Sequence, residues 1–222
     1  MPALALAVVA IAAPDSLNPS LIVAAVYLAL GPNPVRRTIV FTVTAFVVTL
    51  VGGLAIAVGL GDLIRSLLPR LSHTVKWDVI TAVGVIVMCG GAVVWWRRDA
   101  LAAAAPTLSR EPSGGGGSPI LIGAGIAGVE LFTAFPYFAA IALVIGASVS
   151  APEKVFLLVL YNLVYVLPLI GVIVVRGVMG EKGAEVLVPV SEWIQLHWPV
   201  VVAPLAGAVG AALTVYGILE LT

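Results

Sequence analysis

The sequence predicts an all-α polytopic membrane protein. Six transmembrane helices are expected as two inverted three-helix repeats, with the first and fourth helices broken at prolines. Three observations carry this expectation. Mean hydropathy is +1.17, and 61% of residues are hydrophobic against 10% charged, more apolar surface than a soluble domain can cover. The apolar runs reach the ~20 residues of a spanning helix and lack the period-two alternation of barrel strands. Two of those runs carry an acidic residue followed by a proline, one run in each half of the chain.

The segments follow in order. The first, residues 3–30, is an apolar run interrupted by "APDSLNPS"; it lacks the basic start of a signal peptide, so a retained helix is expected. The second, 38–60, begins after Arg36 and Arg37 and carries Thr42, Thr44 and Thr49. The third, 76–96, ends at Trp95 and Trp96, residues suited to the membrane interface. A Gly/Ser/Pro-rich stretch from Ser113 to Pro119 then reads as a flexible linker; "GGGGS" matches engineered linkers, and a natural hydrophilic loop is the expectation. The fourth segment, 119–149, contains "GVELFTAFPYF"; the fifth, 154–176, contains Tyr161, Asn162 and Tyr165; the sixth, 198–220, starts at Trp198 and ends at Glu220. The domains expected are residues 1–100 as the first repeat, 101–118 as a cytoplasmic linker and 119–222 as the second repeat. Gly52, Gly53, Gly84, Gly90, Gly91, Gly207 and Gly210 are expected to let helices approach closely.

Orientation follows from the basic residues in the loops. One side collects Arg36, Arg37, Arg97, Arg98, Arg110, Arg176 and Lys182; the other has Arg65, Arg70, Lys76 and Lys154. The richer side is expected in the cytoplasm. That makes the protein a multi-pass membrane protein with both termini outside and the linker inside.

Several functions are excluded. Net charge is zero and the pI is about 6.7, without the clustered basic surface that nucleic acid requires. There is no nucleotide loop, no H-E-x-x-H and no G-x-S-x-G, so the chain is not expected to be an enzyme. The single cysteine, Cys89, cannot form an internal disulfide and reads as a buried structural thiol. His73 and His197 have no Cys/His cluster around them. No metal and no cofactor are expected.

The two halves align on their prolines. Pro19 and Pro136 are each followed by an apolar half-helix that ends at Pro34 or Pro152, and a charged pair or near-pair follows, Arg36–Arg37 or Glu153–Lys154. Three helices per half would invert the second half in the membrane. Asp15 lies four residues before Pro19, and Glu130 six before Pro136. A carboxylate inside a span costs about 2.5–3.5 kcal/mol on insertion scales and marks a cavity or a partner. Proline removes an amide donor and breaks the helix, freeing backbone groups that can coordinate a ligand. The candidate substrate- or proton-binding residues are therefore Asp15, Ser16, Asn18, Pro19, Ser20, Glu130, Thr133, Pro136, Tyr137, Thr44 and Asn162. The bland alternative is that each carboxylate caps a broken half-helix.

"DSLNPS" and "GVELFTAFPYFAAIAL" resemble the peptidoglycolipid-addressing (GAP) proteins of actinobacteria, a family of the lysine-exporter superfamily. The resemblance covers the whole chain but is specific mainly in these two motifs. It implies a small transporter, linked to export or display of cell-envelope glycolipids. The positions it carries over are Asp15, Asn18, Pro19, Glu130, Thr133 and Pro136. The first motif is also distantly similar to that of membrane thiol-electron carriers, which place a cysteine beside each proline. Here Ser20 follows Pro19, and Phe135 and Tyr137 flank Pro136, so dithiol exchange within one chain is excluded.

The function expected is a secondary transporter or flippase for a lipid or amphiphilic substrate, proton-coupled through midplane carboxylates. Two alternatives stand beside it: an exporter of a small polar solute or metal cation, and a non-transporting scaffold for a lipid export or synthesis complex. A homodimer and envelope-assembly partners are the protein associations left open.

Overall fold

The computed structural model describes residues 1–67, 73–103 and 117–219. Most of the linker, and Glu220, lie outside the described residues. Within them the chain is helical throughout, and the elements are α1 Pro2–Asp15, α2 Pro19–Leu30, α3 Pro34–Leu67, α4 His73–Trp96, α5 Arg98–Ala103, α6 Pro119–Thr133, α7 Phe135–Gly146, α8 Ala151–Tyr165, α9 Leu167–Met179 and α10 Gly183–Leu219, with a short 3-10 turn Gly180–Lys182 before α10.

Two to four stretches are candidate membrane spans. Pro34–Gly59 and the helical run Leu167–Tyr216 are long and apolar enough alone, with mean hydropathies of 2.4 and 1.8. The other two are bent pairs: α1 with α2 at 65°, and α6 with α7 at 69°. Both bends fall where the prolines predict them. Asn18, before Pro19, is held near φ −60°, ψ 115°, because the proline ring clashes with a helical predecessor. At the second break the irregular residue is Ala134, φ −77°, ψ 66°, and Pro136 lies in the first turn of α7.

Two boundaries differ from expectation. The fifth segment is not one helix: α8 and α9 meet at Val166, φ −89°, ψ 1°. Pro168 has no amide to offer the Val164 carbonyl, so the ladder fails there. The sixth starts not near residue 198 but at Gly183, and Pro189, Pro199 and Pro204 all lie inside α10. An interior proline in an apolar helix can cost a bond without ending the helix.

The residues cluster into two compact units, Met1–Val58 with Thr107–Gln195, and Gly59–Pro106 with Leu196–Thr222. In the first, α1 packs on α7 and α8, and α2 on α6 and α9. The second helix of the first half runs along the broken pair of the second half: Gly123 of α6 lies against Phe41 and Thr44 of α3, and Gly53 of α3 lies against Tyr137 of α7. Phe41, Leu21, Ile141, Leu157 and Tyr161 are among the largest side chains of this core.

In the second unit, α4 and α10 touch through glycines. A Cβ on Gly84 would lie 2.5 Å from the Thr214 hydroxyl, and one on Gly210 2.5 Å from the Met88 amide, so the backbones meet directly. Gly90, by contrast, has open space and is not a packing point. Cys89 also departs from expectation: it is exposed. An apolar thiol on an outward helix face can be buried by lipid rather than by protein.

Candidate functional site

The proline breaks leave both acidic residues at helix ends. Asp15 is the last residue of α1, and Glu130 lies in the last turn of α6. A negative charge there meets the negative end of the helix dipole, an opposition of roughly 0.3–1 kcal/mol. Capping does not explain Asp15. The N-cap of α2 is Asn18, whose Oδ1 accepts the Ser20 amide at 3.0 Å.

One helix supplies donors to both carboxylates. The Tyr161 hydroxyl donates to Asp15 Oδ2 at 2.7 Å, and the Tyr165 hydroxyl donates to Glu130 Oε2 at 2.9 Å. Four residues apart on α8, these tyrosines share a helix face. Asn18 and Ser20, at the start of α2, lie near the Glu130 carboxylate. Thus Asp15, from the first half, is held by the second half, and residues of the first half lie near Glu130 of the second.

A third line of bonds runs alongside. Asn162 Nδ2 donates to the Tyr137 hydroxyl and to the Leu158 carbonyl, both at 2.8 Å. The Tyr137 hydroxyl in turn donates to the Thr49 carbonyl at 3.1 Å. Its ring stacks on Tyr161, with centroids 4.7 Å apart. Gly53 makes room for this hydroxyl, because a Cβ there would sit 1.8 Å from it. The Asn162 amide is fully buried, and its Oδ1 has no hydrogen-bond partner among the described residues. Turning the amide over would set its oxygen against the Leu158 carbonyl oxygen, so the unpartnered atom is the acceptor. A buried polar atom left this way costs about 1–3 kcal/mol.

Asp15, Glu130, Asn162 and Thr49 line one narrow pocket together with the three tyrosines. Its free volume is about 10 Å³, close to the ~10–15 Å³ that one water requires. No Lys, Arg or His lines it. Among the described residues no group of three or more His, Cys, Asp or Glu is placed to hold a metal.

The structure brings Asp15, Glu130, Tyr137 and Asn162 to this pocket, and sets Asn18 and Ser20 beside Glu130. Pro19 and Pro136 lie in the first turns of α2 and α7. Ser16 and Thr44 turn to their own helices, donating to the Ala13 carbonyl at 2.7 Å and the Val40 carbonyl at 2.8 Å. The Thr133 side chain lies outside the described residues. Tyr161, Tyr165 and Thr49 were not among the candidates read from sequence. The available signal was the pair of tyrosines flanking Asn162 at helical spacing.

Outside the spans, Ser150 and Glu153 start α8. The Ser150 amide and hydroxyl both donate to Glu153 Oε2 at 2.8 Å. These bonds hold the exposed Glu153 carboxyl below its ordinary pKa.

A family model described as "Sap, sulfolipid-1-addressing protein" (SfLAP) matches residues 8–219. This is a lipid-addressing family, as the resemblance implied, but one named for a sulfolipid rather than a peptidoglycolipid. No curated protein and no solved structure matches the chain.

Proposed function

The chain belongs to the sulfolipid-1-addressing protein family, and from that premise we propose that it is a secondary transporter or flippase that moves or displays a sulfated envelope glycolipid, coupled to protons through Asp15 and Glu130. It handles lipid rather than performing covalent chemistry. In this reading the fold has six spans in two inverted repeats, on the plan of the lysine-exporter superfamily, in a bacterial plasma membrane with both termini outside.

The observation that carries the reading is the pair of carboxylates at two helix breaks, each held by a tyrosine of α8 in one pocket. No basic residue is among the described residues that line the pocket, and protons are a simple source of positive charge for its two acidic groups. The pocket is far too small for a lipid, so we assign it to coupling and assign the lipid to a separate path. The tyrosine bonds tie the two halves together. Protonation of a carboxylate weakens what it accepts, and that would let the halves move and alternate access.

Packing supports the repeat. The first half-helix of each broken pair lies against the second half-helix of the other, α1 on α7 and α2 on α6. Basic residues match as well. Arg37 lies near Gly31 at the end of α2, and Lys154 Nζ donates to the Ile145 carbonyl at the end of α7 at 2.9 Å.

The test is envelope lipid analysis of cells lacking the gene. Deletion should deplete a sulfated glycolipid from the outer surface, and the wild-type gene should restore it while Asp15→Asn should not. An unchanged surface lipid profile in the deletion would rule the function out.

A further inference from the structure

We propose that α3, which belongs by sequence to the first half, moves as one body with α6, α7 and α8 of the second. The boundary that opens during transport then runs between this body and the α1–α2 pair, not between the two repeats. The inference rests on the alternating-access reading above and specifies which helices part. It starts from the way α3 meets the second half. A Cβ on Gly123 of α6 would lie 3.0 Å from the Phe41 carbonyl oxygen and 3.2 Å from the Thr44 Cβ. One on Gly52 would strike the Leu131 side chain of α6, and one on Gly53 the Tyr137 hydroxyl of α7. That hydroxyl donates to the Thr49 carbonyl, one turn before Gly53, at 3.1 Å. Asn162 of α8 braces the same tyrosine, its Nδ2 donating to the hydroxyl at 2.8 Å. The contacts extend from Phe41 to Gly53, about 18 Å along α3. Backbones this close over several turns have no slack for a hinge, since parting them forfeits packing at every point and the Tyr137 bond as well.

The α1–α2 pair is held differently. α1 packs on α7 and α8, and α2 on α6 and α9, but neither helix contains a glycine. α1 is joined to α8 by the Tyr161–Asp15 bond, and a bond to a carboxylate is roughly twice as strong as one to a neutral acceptor. The groups around the two carboxylates are Tyr161 and Tyr165 of α8, Tyr137 of α7, and Asn18 and Ser20 at the start of α2. No Lys, Arg or His is among the described residues that line their pocket. The residues joining α3 to α6 and α7, by contrast, include no carboxylate and no basic group: Phe41, Thr44, Thr49 and Gly53 against Gly123 and Tyr137. A change of charge at Asp15 therefore bears on how α1 sits against α8, and leaves the seat of α3 as it is. Residues 31–33, between α2 and α3, then form the joint, a hinge of a few loop residues.

The test is spin-label distance measurement on the full-length protein in liposomes, in a Cys89→Ala background. Labelled cysteines replace exposed residues in pairs: Val43 of α3 with Leu121 of α6, Leu6 of α1 with Phe156 of α8, and Leu6 with Val51 of α3. Val47 with Val129 serves for the first pair if its labels disturb folding. On acidification the α3–α6 distance is expected to hold. Both distances from Leu6 should change by more than the about 1–2 Å of an ordinary helix shift. If the Leu6–Val51 distance holds while the α3–α6 distance changes, the repeats rock as units and the proposal is overturned, with the transport reading intact. Constant distances in all pairs overturn it too. Lipid movement under a pH gradient is measured on the same labelled proteins. The expected distance changes without lipid movement would leave the moving boundary standing and overturn the transport reading.

Discussion

Tyr161 and Tyr165 do the same job for different carboxylates, so single substitutions can separate them. Tyr161→Phe removes the 2.7 Å bond to Asp15 and leaves the ring stacked on Tyr137. Hydrogen bonds to charged groups are worth about 1.5–3 kcal/mol. The expected outcome is a folded protein with lipid transport reduced at least several-fold, measured against an unchanged gel-filtration profile. Tyr165→Phe should act likewise through Glu130. Gly53→Ala should behave differently, because its Cβ would strike the Tyr137 hydroxyl. Overpacking of this kind costs about 1–3 kcal/mol, so a lower Tm is expected along with loss of transport. A Tm equal to wild type would show that Tyr137 can move aside. The carboxylates were legible in the sequence because charge in an apolar run has few innocent explanations. The tyrosines were not. A tyrosine in a span can anchor, pack or donate, and only the fold shows that two of them reach acids 146 and 35 residues away. The Thr44 hydroxyl is satisfied within its own helix, a bond that a threonine in an apolar run makes as readily as one to a site.

At the scale of elements, proline governs three breaks and is absorbed at four positions, Pro14 in α1 and Pro189, Pro199 and Pro204 in α10. The 65° and 69° bends were legible because each proline follows a polar or acidic stretch. The break at Val166 was not, since nothing in the sequence around Pro168 separates it from the prolines that α10 absorbs. Whether a proline ends a helix depends on neighbours that one sequence does not display. Pro19→Ala is expected to straighten the α1–α2 junction and reduce transport more than stability, checked by transport assay and thermal unfolding together. The start of α8 offers a test of pH dependence. Its two Ser150 bonds lower the Glu153 pKa in the folded state. A lowered folded value means the contribution is present above the unfolded pKa and is lost as pH falls through the folded one. The wild-type Tm should therefore drop on acidification below about pH 4.5 by more than that of Glu153→Gln. Equal acid sensitivity would mean that the Ser150–Glu153 bonds contribute nothing.

The molecule as a whole was legible in class, since hydropathy alone required membrane helices. Its detailed packing was not. Apolar composition says little about which helix faces which, and the reciprocal contacts of α1 with α7 and α2 with α6 emerge only in three dimensions. Those contacts place the acids of both halves around one pocket, where charge change in either half bears on the other. Under the proposed function, two-state coupling of this kind would let a proton gradient drive movement of a lipid that never enters the pocket. The most direct test is reconstitution into liposomes containing a fluorescent sulfated glycolipid. With a pH gradient imposed, the wild-type protein should move the lipid between leaflets, and folded Asp15→Asn with Glu130→Gln should not. Equal, gradient-independent movement by both proteins would contradict the account.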